Sequence, residues 1–192
     1  MTSKSIARFD NLPGDPEAYD RAMRALAAAS TGDDGIPFGK MGKDGRWTYG
    51  AEEIPIGPDE EWAVNPQAIR VGVIGWANKT KVGEEMYLLG QGIVDKSALP
   101  VIISDKKDDG WKDQISLEFV SMANPDLRLS YGTTSDGGLR AVRALAALMV
   151  QNKGKFPVIN CRSESYNHRE WGKTYKPILN VVRWVDNRPA LV

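Results

Sequence analysis

From Gly138 to Asn152 the chain carries an apolar stripe at helical spacing, and strand-like runs flank it on both sides. Leu139, Val142, Ala146 and Met149 form the stripe, with Leu145 and Leu148 beside it. Ser135 or Asp136 supplies an N-cap and Gly154 a stop. Such a stripe is a core face rather than a cofactor box, so the helix must lie on strands. Before it, Gln114 to Met122 and Leu127 to Tyr131 read as a hairpin round Ala123-Asn124-Pro125-Asp126. Ile115, Leu117 and Phe119 alternate there with Ser116, Glu118 and Val120. After it come Phe156 to Ile159 and Ile178 to Val185.

One more strand precedes this group. Ile69 to Ala77 places Val71, Val73 and Ala77 on one face and Arg70, Ile74 and Trp76 on the other. Gly72 and Gly75 mark a bulge or bend. The order is therefore strand, long connection, strand, tight turn, strand, helix, strand, long polar loop, strand. That is the order of an OB-fold, a five-stranded Greek-key barrel with a helix between strands 3 and 4. An α+β sandwich with the helix over one open sheet has the same local elements. The long connection, Asn78 to Lys112, holds short strands at Met86 to Leu89 and Val101 to Ser104. The barrel domain is expected over 36–192. Residues 1–35 form an appendage, whose helix starts at Asp15-Pro16-Glu17, runs through Ala18 to Ala29 and breaks at Ser30 to Gly35.

The two long loops are the ones that help bind oligonucleotides in such a barrel. The second, Ser163 to Pro177, overlaps the segment Asn160 to Lys176, where Arg162, His168, Arg169, Lys173 and Lys176 are interleaved with Tyr166, Trp171 and Tyr175. Cations neutralise phosphates and flat rings stack on unpaired bases. A solvated hairpin is the plainer account of the same composition. Gly39 to Gly50 adds Arg46 and Trp47 on a hairpin tip, and lacks the Gly-Lys-Ser/Thr ending of a phosphate-binding P-loop. Lysine plus arginine and aspartate plus glutamate each total 25, so the net charge is zero and any hold on a polyanion must be local.

Other chemistries fit less well. The single cysteine, Cys161, leaves no intrachain disulfide and no cysteine-based zinc cluster, and it suits a reducing cytosol. One histidine, His168, excludes multi-histidine metal sites, and a Cys161–His168 nucleophile pair lacks an oxyanion motif. Asp105, Asp108 and Asp109 share a turn with Lys106 and Lys107 and lack the EF-hand spacing. No apolar run is long enough to span a bilayer, and the first residues lack the apolar core of a signal peptide. The expectation is a cytoplasmic, non-catalytic protein without cofactor or membrane partner.

Several short motifs carry a resemblance. These are Gly45-Arg46-Trp47-Thr48-Tyr49-Gly50-Ala51, Trp62-Ala63-Val64-Asn65-Pro66, Gly75-Trp76, Thr133 to Gly138, Ser165 to His168, and Gly172-Lys173-Thr174-Tyr175. Together, over roughly Gly39 to Val185, they resemble single-stranded DNA-binding proteins of tailed phages with an OB-fold core. The resemblance implies coating and protection of single strands during replication or recombination in the host cytoplasm. Its further partners would be a second copy and phage or host replication and recombination proteins. On this reading Arg46, Lys79, Lys81, Arg128, Arg162, Arg169, Lys173 and Lys176 contact phosphates. Trp47, Trp76, Trp111, Tyr166, Trp171 and Tyr175 stack on bases, and His168 adds a stacking or hydrogen-bonding contact. The wider class often ends in an acidic tail, whereas this sequence reads Asp186-Asn187-Arg188-Pro189-Ala190-Leu191-Val192, which puts tail-mediated recruitment in doubt. The rivals are a protein-interaction or virion-structural module, then a nuclease or recombination accessory.

Overall fold

The computed structural model describes residues 35–104, 106 and 109–186. The amino-terminal helix expected at Ala18 to Ala29, the acids Asp105 and Asp108, and the last residues from Asn187 lie outside this range. The described part is mainly β, with ten strands in two antiparallel sheets and one α-helix. The strands are β1 (Gly39–Met41), β2 (Trp47–Tyr49), β3 (Ile54–Pro55), β4 (Trp62–Val64), β5 (Arg70–Ala77), β6 (Thr80–Leu88), β7 (Gly110–Ser121), β8 (Arg128–Thr133), β9 (Lys155–His168) and β10 (Gly172–Asp186), and the helix is α1 (Asp136–Gln151).

The small sheet runs β1-β2-β3, and the large one runs β10-β9-β4-β7-β5-β6 with β8 on the other edge of β7. β7 organises the large sheet. Its first half pairs with β5 from Gly110 to Ser116, its last residues pair with β4 at Phe119 to Ser121, and Ile115 to Val120 pair with β8. β4 also pairs with β9, through Trp62↔Ile159 and Ala63↔Val158. Between β4 and β5 the chain makes a single 3₁₀ turn at Pro66–Ala68, which Asn65 caps by accepting from the Gln67 N–H.

The alternation read from the sequence places the core. Leu117 and Phe119 from β7 meet Leu129 and Tyr131 from β8, Trp62 and Val64 from β4, Ile159 and Cys161 from β9, and Val142 and Leu145 from α1. α1 starts at the expected Ser135 cap, whose hydroxyl accepts from the Gly138 N–H at 3.1 Å, and it packs chiefly on β10. Its buried line is Leu139, Val142 and Leu145, while Leu148 turns to solvent.

Four expectations need correction. Asn78 to Lys112 is not one long connection, because β5 turns straight into β6 through Asn78 and Lys79, both at positive φ, as a two-residue hairpin turn requires. The short strand expected at Met86 is the end of this longer one. Val101 to Ser104 is not a strand, since no neighbouring strand pairs with it. The polar loop after β9 is largely strand. β9 and β10 pair from Lys155↔Asp186 out to His168↔Gly172, leaving only Arg169 to Trp171 as the turn.

Candidate nucleic-acid interface

The segment Asn160 to Lys176 is thus a two-stranded ribbon that leaves the core. Alternation divides its side chains. Cys161 and Leu179 point into the core, and further out the same face carries Ser163, Tyr175 and Lys173. The opposite face carries Arg162, Glu164, Tyr166 and His168 from β9, beside Lys176 and Thr174 from β10. At the turn the Glu170 N–H donates to His168 Nδ1 at 3.2 Å, which orients the imidazole. Trp171 folds over it with ring centres 4.2 Å apart and planes 13° from parallel. Tyr166 meets His168 edge-on at 6.4 Å. Trp171 is 72% exposed, so its outer face is open to a further flat ring.

The ribbon's charges fall into two groups. Lys176 pairs with Glu164 at 3.1 Å and Arg162 with Asp59 at 3.0 Å. Arg169 and Lys173 meet no carboxylate among the described residues, and the Lys173 ammonium lies 5.5 Å from the centre of the Tyr175 ring. Among the described residues, the ribbon's cations without a carboxylate therefore sit at its outer end, Arg169 in the turn beside the stacked rings and Lys173 on the opposite face.

A groove of about 450 Å³ lies on the solvent face of the large sheet. β5 contributes Arg70, Ile74 and Trp76, β6 contributes Lys81, Glu84 and Met86, and β7 contributes Gln114, Ser116 and Glu118. Phe38, 40% exposed, stands beside Ser130 and Gly132 at this groove. Glu84 is occupied twice, by Lys81 at 2.6 Å and by the Gln114 amide at 2.7 Å. The groove thus pairs an aromatic and apolar floor with polar edges of both signs, a lining suited to bases more than to a run of phosphates.

The structure brings together Tyr166, His168, Arg169 and Trp171 at the outer end of the ribbon, Lys173 with Tyr175 on its other face, and Trp76 with Lys81 in the groove. Lys79 stands at the β5–β6 turn and Arg128 at the start of β8, both exposed. Trp47 is not a stacking residue. Only 4% exposed, it packs against Tyr131, and its indole N–H donates to the Arg162 carbonyl at 2.9 Å. Trp111 is committed as well. Its ring lies over Gly75 and Gly83, where a β-carbon would come within 3.1 Å and 2.6 Å of it, and its N–H donates to the Pro100 carbonyl at 2.8 Å. Arg46 is exposed and bound to Asp44, on the rim of a second cavity that Arg162 also lines.

Sequence reading missed Phe38, Met86 and Gln114 as groove residues and gave Arg70 no role. The placement of Arg70, Ile74 and Trp76 on one strand face was the signal for β5. Nothing local marks Phe38, because its place depends on a parallel bridge to Ser130 of β8.

Two groups with chemical potential are structural. Cys161 is buried, and desolvation, with Glu60 adding to it, pushes its thiol up to about 12. It also faces the opposite side of β9 from His168, so the two do not form a pair. The Asp109 carboxylate is held below the ordinary range by the Ser104 hydroxyl and then the Asn78 N–H, and so clasps the turn between β5 and β6. Among the described residues, no group of three or more His, Cys, Asp and Glu side chains is placed to hold a metal ion, and no helix is long and apolar enough to cross a membrane. Comparison of the chain with protein-family models, curated proteins and solved structures finds no match.

Proposed function

We propose that this chain is a non-catalytic single-stranded DNA-binding protein of the phage type, coating and protecting strands during replication or recombination. The observation that carries the reading is the outer end of the ribbon. There a 72% exposed Trp171 is pre-stacked on His168, with Arg169 in the same turn and Lys173 on the other face of the ribbon, neither meeting a carboxylate among the described residues. Exposed rings held flat next to free cations are the elements of a sequence-tolerant grip on unpaired bases.

The same reading includes an OB-type barrel. Support comes from strand order. If β4 and β5 are one strand interrupted at Asn65-Pro66, and β6 on the free edge of β5 is set aside as an addition, the large sheet runs β8, β7, β4/β5, β9, β10, or third, second, first, fourth, fifth, with α1 between the third and fourth. The small sheet and the residue before it reach one end of this path, β8, through Phe38 on Ser130, and reach β9 through Trp47 on the Arg162 carbonyl. In that frame the 450 Å³ groove lies on the outer face of strands one to three, and the ribbon is the connection between strands four and five.

The test is a tryptophan-fluorescence titration with a mixed-sequence single-stranded oligonucleotide at low and moderate salt, with a duplex control. Saturable quenching that prefers the single strand and weakens with salt is the expected result. Absence of binding at low salt overturns the proposal. It would leave a protein-interaction or virion-structural module, a reading that draws on the exposed Ile93, Val101 and Ile103.

A further inference from the structure

Between β6 and β7 the chain exposes aliphatic side chains that no described residue covers. Ile93, Val101 and Ile103 are 93%, 88% and 90% exposed. Val101 to Ser104 alternates as a strand would, with Val101 and Ile103 outward and Ile102 inward. The inward side is anchored. Ile102 lies against Gly75, and Pro100 is held by the Trp111 indole. Val101-Ile102-Ile103 are three successive β-branched residues, with high strand propensity. Yet among the described residues their backbone N–H and C=O groups make no backbone hydrogen bond. A strand signal, an anchored inner face and an unpaired backbone coincide in one short segment.

We propose that Val101 to Ser104 is a self-association surface, on which the same segment of a second copy pairs antiparallel about a two-fold axis. Three features favour a second copy as occupant. Antiparallel apposition sets Val101 of each copy beside Ile103 of the other, like against like, which an isologous contact requires. Ala98 to Ser104 contains no charged residue, so laying the segment on itself buries no unpaired charge. The chain's net charge is zero, so no long-range repulsion opposes the approach of two copies. An uncovered apolar strand of this kind would otherwise be an aggregation site.

Sedimentation velocity without nucleic acid, across a concentration series from low micromolar to submillimolar, is the test. It is independent of the DNA-binding reading. A reversible dimer is expected. The Val101→Lys/Ile103→Lys variant should raise its dissociation constant by at least about a hundredfold, since each copy loses both outward apolar side chains and sets like charges against each other across the two-fold. Both positions are exposed in the single chain, so far-UV circular dichroism and the denaturation midpoint should stay at wild-type values at protein concentrations where the wild type is monomeric. A wild-type chain that is monomeric throughout overturns the proposal, as does a variant that associates as tightly as wild type. Should the double variant fail to fold, Ile103→Thr alone supplies the comparison: a weaker dimer supports the surface, and an unchanged one overturns it.

Discussion

At Trp171 the ring has one face on His168 and the other in solvent, so its removal should cost binding and little stability. Trp171→Ala is expected to weaken single-stranded oligonucleotide binding by about 1–3 kcal/mol, with no change in base preference, measured by anisotropy of a labelled strand. An unchanged affinity would remove Trp171 from the site. Trp47→Ala should do the reverse. It empties a core position and frees the Arg162 carbonyl, at about 3–5 kcal/mol of stability in urea denaturation. Residue type alone does not tell these two tryptophans apart; only their surroundings do. Cys161 gives a third prediction. Burial raises its thiol to about 12, and Tyr131 is raised to about 12 for the same first reason, so the native state keeps both protons where the unfolded chain would lose them. Stability is therefore fully present below pH about 9 and falls between about 9 and 12. Denaturant midpoints across that range should drop, and Cys161→Ala should flatten part of the fall. Thiol-reactive reagents should leave the native protein unmodified at neutral pH.

Among the elements, α1 was the most legible in sequence, because its cap and its apolar line are local signals that packing did not override. Its tight entry makes a further prediction. Gly138 is buried against Thr133, and a β-carbon there would collide with the Thr133 side chain, so Gly138→Ala should destabilise the fold more than the cap deletion Ser135→Ala, itself worth about 1 kcal/mol. Thermal melts of the two variants decide the order. The β7–β8 hairpin and β5 were legible from alternation, since one face of each is core. The ribbon was not, because from Arg162 to His168 neither face is buried and a strand with two polar faces leaves no periodic trace. Its composition singled the segment out, but under the wrong backbone form. Val101 to Ser104 failed the other way. Propensity and alternation are both present there, but no strand stands beside it to pair with among the described residues. The groove was half legible. β5 declared its outer face, whereas Phe38, Met86 and Gln114 arrive through pairings with distant parts of the chain.

At the scale of the whole molecule, a neutral chain can bind a polyanion only through cations that are free to do so. Of the eight cationic residues first assigned to phosphates, Arg46, Lys81, Arg162 and Lys176 already face Asp44, Glu84, Asp59 and Glu164. Lys79, Arg128, Arg169 and Lys173 face no carboxylate among the described residues. If only these four engage phosphates, log K for a single strand should fall with log salt at a slope of about −3, because each phosphate neutralised contributes about −0.7. All eight together would give a slope of about −6. Lys173→Ala should make the shallower slope shallower still, by a little under one unit, whereas Lys176→Ala, which removes a cation already paired with Glu164, should leave it unchanged. The quantity to measure is that slope for the wild type and both variants on one oligonucleotide. A wild-type slope near −6 would mean that the strand strips the four paired cations from their carboxylates. The ion pairs would then be a competitor that the strand displaces, and Lys176→Ala would move the slope as much as Lys173→Ala does.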